Sequence, residues 1–171
     1  MKNRAYKNYI FDFYGTLVDI LTDEKYPVLW DKLGQLYQAY GAAYEGETLK
    51  KAYAKRVDQA RKELMELKGV AYPEIDLAHI FNQLYVDARP QSSNSNQPED
   101  WGQLIAMVFR VLSRKHVTAY PHTKEVLAFL KEQGCRIYLL SNAQAAFTNA
   151  EIDLMALRPY FDAIYLSSDA G

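Results

Sequence analysis

The spacing of apolar residues changes character along the chain. Between residues 23 and 115 apolar side chains recur every three or four positions, the period of an amphipathic helix packed on one side. The four stretches with this spacing cover about residues 23–40, 49–67, 73–87 and 100–115. Gly41 and Gly69 follow the first two stretches, where glycine commonly ends a helix. Four helices in succession without a strand predict a small helical bundle.

On either side of this region, short apolar runs alternate with helical spacing. The runs cover residues 9–11, 136–140 and 163–166, and helical spacing covers residues 121–134 and 145–157. Apolar runs of this length predict buried strands, and strand–helix–strand order with short connections predicts parallel pairing. The predicted fold class is therefore α/β, with a Rossmann-like parallel sheet core.

These two patterns divide the chain into a core and an insertion. We assign residues 1–20 and 119–171 to the α/β core and residues 21–118 to an inserted all-helical segment. Residues 90–98 are polar and rich in turn formers, which predicts a loop within the insertion. An insertion that follows a strand with a functional residue commonly covers the site, so this segment is expected to be a cap.

One carboxylate comes directly after the first predicted strand. Asp12 follows the apolar run, and Gly15 and Thr16 then mark a turn. Burying an unpaired carboxylate costs several kcal/mol, so Asp12 should lie at the carboxyl end of the strand, facing a crevice. Open α/β sheets bind their ligands at that end. A capping aspartate at a strand exit would account for the same isolated pattern without a ligand.

A hydroxyl side chain follows the next predicted strand of the core. Ser141 ends that apolar run and opens a helix, where a hydroxyl and free backbone N–H groups can bind an anion. Taken alone, a serine in this position is more often a simple N-cap than an anion ligand. Because parallel strands bring their carboxyl ends to one edge, we predict the Asp12 carboxylate within about 10 Å of the Ser141 hydroxyl.

The residues around Asp12 match a family pattern. The stretch from Ile10 to Asp19, IFDFYGTLVD, resembles the first motif of the haloacid dehalogenase (HAD) superfamily, which forms a covalent intermediate on its first aspartate. The resemblance implies that Asp12 is the nucleophile, attacking phosphorus or a halogen-bearing carbon. A carboxylate suits this role because it is ionised at neutral pH and its ester hydrolyses readily. Tyr14 stands where the phosphatases of the family usually carry a second aspartate, which implies a catalytic role for Tyr14.

The stretch LLSNA that contains Ser141 and Asn142 resembles the second motif of the same superfamily. Its hydroxyl holds the transferring phosphoryl group or the substrate carboxylate. The resemblance implies substrate-binding roles for Ser141, Asn142 and Thr16. It also implies a Mg²⁺ ion in the phosphatase branch, held by the Asp12 carboxylate and the Tyr14 carbonyl, which alone make a poor octahedral site.

Two later motifs of the superfamily have no counterpart in the sequence. One is a lysine that neutralises the substrate, and the other is an acidic pair that holds Mg²⁺. The core is therefore expected to be incomplete at its C-terminus, with the Asp12 strand as an open sheet edge that pairs with a second copy, a swapped segment or the missing C-terminal piece. Without those charges we expect the 171-residue chain to be catalytically silent by itself.

Two activities fit the full-length enzyme. The first is phosphatase-type hydrolysis of a small phosphorylated metabolite, and the alternative is hydrolysis of a 2-haloacid. Tyr14 favours the second, because a halide leaves without a proton whereas an alkoxide usually needs one. Residues 38–47 contain no arginine, whereas the dehalogenases carry one early in the cap, and this speaks against it. A fragment without any activity of its own is the third reading.

Composition limits the partners and the compartment. A formal net charge of −1 provides no electrostatic footprint for nucleic acid or an anionic membrane. No apolar run approaches the length of a membrane span. Cys135 is the single cysteine, so no internal disulfide can form, as is usual in a reducing cytosol. We expect a cytoplasmic protein with a small-molecule substrate and without nucleic-acid or membrane partners.

Overall fold

A computed structural model describes residues 6–89 and 98–169 of the chain. The chain divides into two compact units, Met1–Thr22 with Arg114–Gly171, and Asp23–Ser113. The loop predicted over residues 90–98 lies outside the described residues except for Pro98. The role of the helical segment as a cap stays a prediction.

The elements follow one another in mixed order. The helices are α1 (Pro27–Ala39), α2 (Gly46–Lys68), α3 (Leu77–Ala88), α4 (Trp101–Ser113), α5 (Thr123–Glu132) and α6 (Ala145–Leu154). The strands are β1 (Asn8–Phe11), β2 (Val18–Thr22), β3 (Arg114–Ala119), β4 (Arg136–Ser141) and β5 (Ala163–Leu166). Two short 3₁₀ helices, Arg158–Tyr160 and Ser167–Asp169, flank β5.

The first unit is built on a three-stranded sheet in the order β1-β4-β5. Both pairings are parallel, with Tyr9 opposite Ile137 and Leu139 opposite Ile164. The parallel sheet predicted from the apolar runs is confirmed. Its covered face packs against side chains of α5 and α6, among them Leu127 and Ile152. Since β1 and β4 are paired in parallel, they lie side by side and their carboxyl ends open at the same edge of the sheet.

The opposite face of the sheet is open. Because side chains alternate between the two faces of a strand, each strand directs an exposed apolar side chain to this face. These are Ile10 (67% exposed), Leu140 (57%) and Tyr165 (57%). Among the described residues β1 pairs with β4 alone, so β1 is an edge strand, as expected.

A two-stranded ribbon leads into and out of the helical unit. β2 and β3 pair antiparallel, with Val18 opposite Ala119 and Leu21 opposite His116. The predicted fourth helix, which ran to about residue 115, is wrong at its end, because the chain is already in β3 there. Pairing of β2 with β3 also explains why the unit boundaries lie after residues 22 and 113, whereas the predicted boundaries lay after residues 20 and 118.

The second unit consists of the four predicted helices, α1 to α4. Pro27 opens α1 and Gly69 caps α2 at φ 65°, as glycine can without strain. An aromatic cluster fills the space between the helices, formed by Trp30, Tyr53, Phe81 and Phe109. Within the described part of the chain, no helix is both long and apolar enough to cross a membrane.

Candidate active site

The turn after β1 holds Asp12 at the end of the strand. The Phe13 carbonyl accepts the N–H groups of Leu17 at 2.9 Å and Val18 at 3.0 Å, and Gly15 N–H donates to the Val18 carbonyl at 2.8 Å. Gly15 has φ 76°, a left-handed conformation that favours glycine at this position of the sequence pattern. The backbone bonds therefore make a tight turn from Phe13 to Val18, and Asp12 lies between β1 and this turn.

The Asp12 carboxylate lies next to Ser141. The Ser141 hydroxyl donates to Asp12 Oδ1 at 2.6 Å. Ser141 ends β4 and is buried at 4% exposure, whereas Asp12 is exposed. The predicted proximity of the two groups is confirmed, because neighbouring parallel strands end side by side. A buried hydroxyl that holds an accessible carboxylate in one orientation is compatible with a nucleophilic role. The catalytic role of Asp12 stays a prediction.

Tyr14 lies in a second group of polar side chains. Its hydroxyl donates to Glu151 Oε2 at 2.5 Å and lies 3.0 Å from Thr148 Oγ1. Arg114 Nη1 donates to Glu151 Oε1 at 2.9 Å. These contacts occupy the Tyr14 hydroxyl, which is the atom on which a role in proton transfer would depend.

Sequence reasoning missed Glu151 entirely. Its side chain is 2% exposed, on the same face of α6 as the buried Phe147 and Ile152. An acidic residue in step with the apolar positions of a helix was the available signal. On its own that signal is weak, because it does not reveal which side chains the carboxylate meets.

The two other predicted substrate-binding residues are exposed. Thr16 lies on the turn that Phe13 closes, and its N–H group points to the Phe13 carbonyl at 3.4 Å. Asn142 follows Ser141 directly, and its Oδ1 accepts a hydrogen bond from the Ser167 hydroxyl at 2.9 Å. The structure places both near the ends of the strands that carry the Asp12–Ser141 pair. Their binding roles stay predictions.

Ser167 and Ser168 change the expected anion site at the start of α6. Ala143 N–H donates to Ser167 Oγ at 2.9 Å, and Ala145 N–H donates to Ser168 Oγ at 2.7 Å. The prediction of free N–H groups at this helix start is therefore wrong for these two amides. The sequence pattern assigned no role to these two serines, whereas in the structure they secure the loop after Ser141.

The predicted Mg²⁺ ligands are two oxygens, the Asp12 carboxylate and the Tyr14 carbonyl. Among the described residues, no group of three or more histidine, cysteine, aspartate or glutamate side chains is placed to hold a metal ion. Mg²⁺ takes six ligands in near-ideal octahedral geometry and commonly combines one or two carboxylates with water and substrate phosphate oxygens. The Mg²⁺ site therefore stays a prediction, with two of six ligands named.

Comparison with known proteins found similar solved structures. Among solved structures, the chain is similar to a "predicted phosphoglycolate phosphatase" from Haemophilus somnus 129PT, with 17% identity and a TM-score of 0.43 over 95% of this chain and 63% of that one. It is also similar to L-2-haloacid dehalogenase from Xanthobacter autotrophicus, with 18% identity and a TM-score of 0.40 over 94% and 56%. A comparison with curated proteins gave no match.

The chain spans less than two thirds of the length of these solved structures. A sequence model of the haloacid dehalogenase-like hydrolases matches residues 6–171, nearly the whole chain. This match includes both the turn of Asp12 and the strand end of Ser141. The chain therefore belongs to the haloacid dehalogenase-like hydrolases.

Proposed function

We propose that this chain carries the nucleophile of a hydrolase that works through a covalent ester on Asp12. The observation that carries the proposal is the 2.6 Å hydrogen bond from the Ser141 hydroxyl to Asp12 Oδ1. It orients an exposed carboxylate at the carboxyl end of a parallel strand, where α/β proteins bind their ligands. Membership of a hydrolase family supports the same reading.

The reaction proceeds in two displacement steps. An Asp12 carboxylate oxygen attacks the electrophilic atom of the substrate and forms a new bond to it, while the leaving group departs with its bonding electrons. Water then attacks the intermediate and breaks the bond between Asp12 and the transferred group, which leaves with the hydroxyl of the water as the second product, while the remaining proton passes to solvent and the carboxylate is restored. Ser141 contributes by holding the carboxylate in one orientation, because a nucleophile that is already aligned reacts faster.

Trapping of the intermediate tests this proposal. When the complete protein is quenched during turnover with hydroxylamine, an ester or acyl phosphate on Asp12 becomes a hydroxamate. We expect mass spectrometry to find the hydroxamate on Asp12 and not on Asp19, which lies in the same motif. Hydroxamate formation on another residue, or none during active turnover, would contradict the proposal.

Phosphatase-type hydrolysis of a small phosphorylated metabolite in the cytoplasm is the first candidate activity. Phosphomonoesters are common cellular substrates, and their hydrolysis needs the nucleophile, charge neutralisation and a proton for the leaving alkoxide. A phosphoryl dianion is repelled by the Asp12 carboxylate unless cations offset the charge. This candidate therefore requires a cation at Asp12, and among the described residues no group of three or more histidine, cysteine, aspartate or glutamate side chains is placed to hold a metal ion.

Hydrolysis of a 2-haloacid is the second candidate, and the position of Tyr14 favours it. The Tyr14 hydroxyl donates a hydrogen bond to the buried Glu151 carboxylate. An alkoxide leaving group needs a proton, whereas a halide leaves without one. A tyrosine held in this way suits a leaving group that departs unprotonated.

Substitution of Tyr14 separates the two candidates. We expect Tyr14→Asp to raise the rate for an alkyl phosphate relative to that for 2-chloropropionate, because the new carboxyl group supplies the proton that an alkoxide needs. Tyr14→Asn is the matched control, since asparagine has nearly the same size as aspartate but no acidic proton. The ratio of the two rates cancels general losses of folded protein. An equal ratio in both variants would show that protonation by residue 14 does not limit phosphate hydrolysis.

A further inference from the structure

We propose that Glu151 is a positioning residue, whose buried carboxylate acts through the Tyr14 hydroxyl to hold the turn that carries Asp12. The proposal rests on the proposed function, in which Asp12 is the nucleophile. It adds a second contact, between Tyr14 and Glu151, that keeps the Asp12 carboxylate beside the Ser141 hydroxyl.

The burial of Glu151 requires compensation. At 2% exposure its carboxylate has lost nearly all contact with water, which is unfavourable unless charge and hydrogen bonds replace the water. Arg114 provides the opposite charge and the Tyr14 hydroxyl a second donor. An apolar side chain on this face of α6 would fill the space without that cost. The carboxylate therefore calls for a role other than packing.

The Tyr14–Glu151 bond joins the same two chain segments as the bond between Asp12 and Ser141. Tyr14 follows Asp12 by two residues, and Glu151 lies on α6, the helix that follows Ser141. The Ser141–Asp12 hydrogen bond joins the two side chains of the candidate site, and the Tyr14–Glu151 hydrogen bond joins the turn to α6. Two attachments between the same segments restrain rotation of the turn, which a single attachment does not.

Tyr14 transmits this restraint to the backbone of the turn. Its backbone forms an isolated β-bridge with Val18. Its ring contacts the buried Phe13 ring edge-on, with 4.8 Å between the ring centroids. Since the Tyr14 proton is donated to Glu151, the Thr148 hydroxyl is the donor to the Tyr14 oxygen. Thr148 and Glu151 are three residues apart on α6, so one face of the helix binds the hydroxyl from two sides.

The placement of a nucleophile strongly affects rate. A displacement of about 1 Å, even when it is caused by a mutation far from the chemistry, can cost about a hundredfold in rate. If Glu151 holds the turn, loss of its contact to Tyr14 should lower kcat more than it raises KM. It should also loosen the hydrogen bonds that close the turn.

A double-mutant cycle in the complete protein tests the link. We expect Tyr14→Phe and Glu151→Leu each to lower kcat about tenfold or more, with KM little changed. The double variant should be no slower than the worse single variant, because both changes break the same contact. Glu151→Gln keeps an acceptor for the Tyr14 hydroxyl and should recover part of the rate. Asp153→Asn, on the same helix but in an exposed pair with Arg158, is the control and should leave kcat unchanged.

Hydrogen exchange supplies a readout that does not depend on turnover. In Tyr14→Phe and Glu151→Leu we expect the amides of Leu17 and Val18 to exchange about tenfold faster, whereas that of Leu139 in β4 keeps its protection.

Unchanged exchange at the turn in a folded variant would overturn the proposal, and so would additive losses in the cycle. Should Glu151→Leu fail to fold, Tyr14→Phe still decides the matter, since it keeps the ring against Phe13. Altered exchange in a protein that forms no Asp12 intermediate would instead refute the proposed function and leave the restraint standing.

Discussion

Asp12→Asn is expected to abolish turnover of the complete protein while the fold stays intact. The amide has nearly the shape of the carboxylate but lacks the charge of a nucleophile, and loss of a nucleophile can cost four or more orders of magnitude in kcat. Its carbonyl oxygen can still accept the hydrogen bond that the Ser141 hydroxyl donates to Asp12 Oδ1. The free energy of unfolding should therefore change by no more than about 1 kcal/mol. Steady-state kinetics and chemical denaturation measure the two quantities.

Asp19→Asn is the matched control for this prediction. Asp19 lies in the same motif, but its carboxylate faces His116 across the β2–β3 ribbon, with 3.0 Å between Oδ2 and Nε2. Exposed pairs of this kind contribute little, so the variant should keep nearly the rate of the wild type. If Asp12→Asn also kept that rate, the covalent mechanism on Asp12 would be wrong. Comparable losses in both variants would show that charge in this segment, and not the nucleophile alone, controls the rate.

The meeting of Asp12 and Ser141 was predictable because it follows from topology. An apolar run followed by a polar residue indicates where a buried strand ends, and strand–helix–strand order makes the strands parallel. Neighbouring parallel strands must end at the same edge of the sheet. The 2.6 Å contact depends on rotamers that the sequence does not reveal, but the proximity of the two residues did not require them.

The ribbon and the second polar group were hidden for different reasons. β3 begins Arg114-Lys115-His116 and is largely exposed, so it has no apolar run that would distinguish it from the end of α4. The partners of Glu151 lie far from it along the chain, on the turn after β1 and at the start of β3. Helical periodicity places Glu151 on a buried face, but only the folded chain shows that Tyr14 and Arg114 meet it there.

The edge of the sheet leads to a further expectation for residues 1–171. Among the described residues β1 pairs on one side only, so the strand has unpaired N–H and C=O groups on its other side. Ile10 is also 67% exposed and lies on the same open face of the sheet as Leu140 and Tyr165. We propose that a second copy of the chain pairs along β1. A two-fold arrangement would join two three-stranded sheets into one and continue the open apolar face across the new junction.

The 171-residue chain is accordingly expected to form a dimer, with an affinity in roughly the micromolar range because a short edge must also offset the entropy of association. Light scattering over a concentration series measures the mass. Ile10→Lys places a charge on the edge strand and should shift the chain to a monomer at concentrations where the wild type is dimeric. Leu67→Lys changes a more exposed apolar residue, at 81%, on α2 in the helical unit and should leave the dimer intact. A wild-type monomer at every concentration would refute pairing at β1, and dissociation by Leu67→Lys alone would place the interface on the helical unit instead.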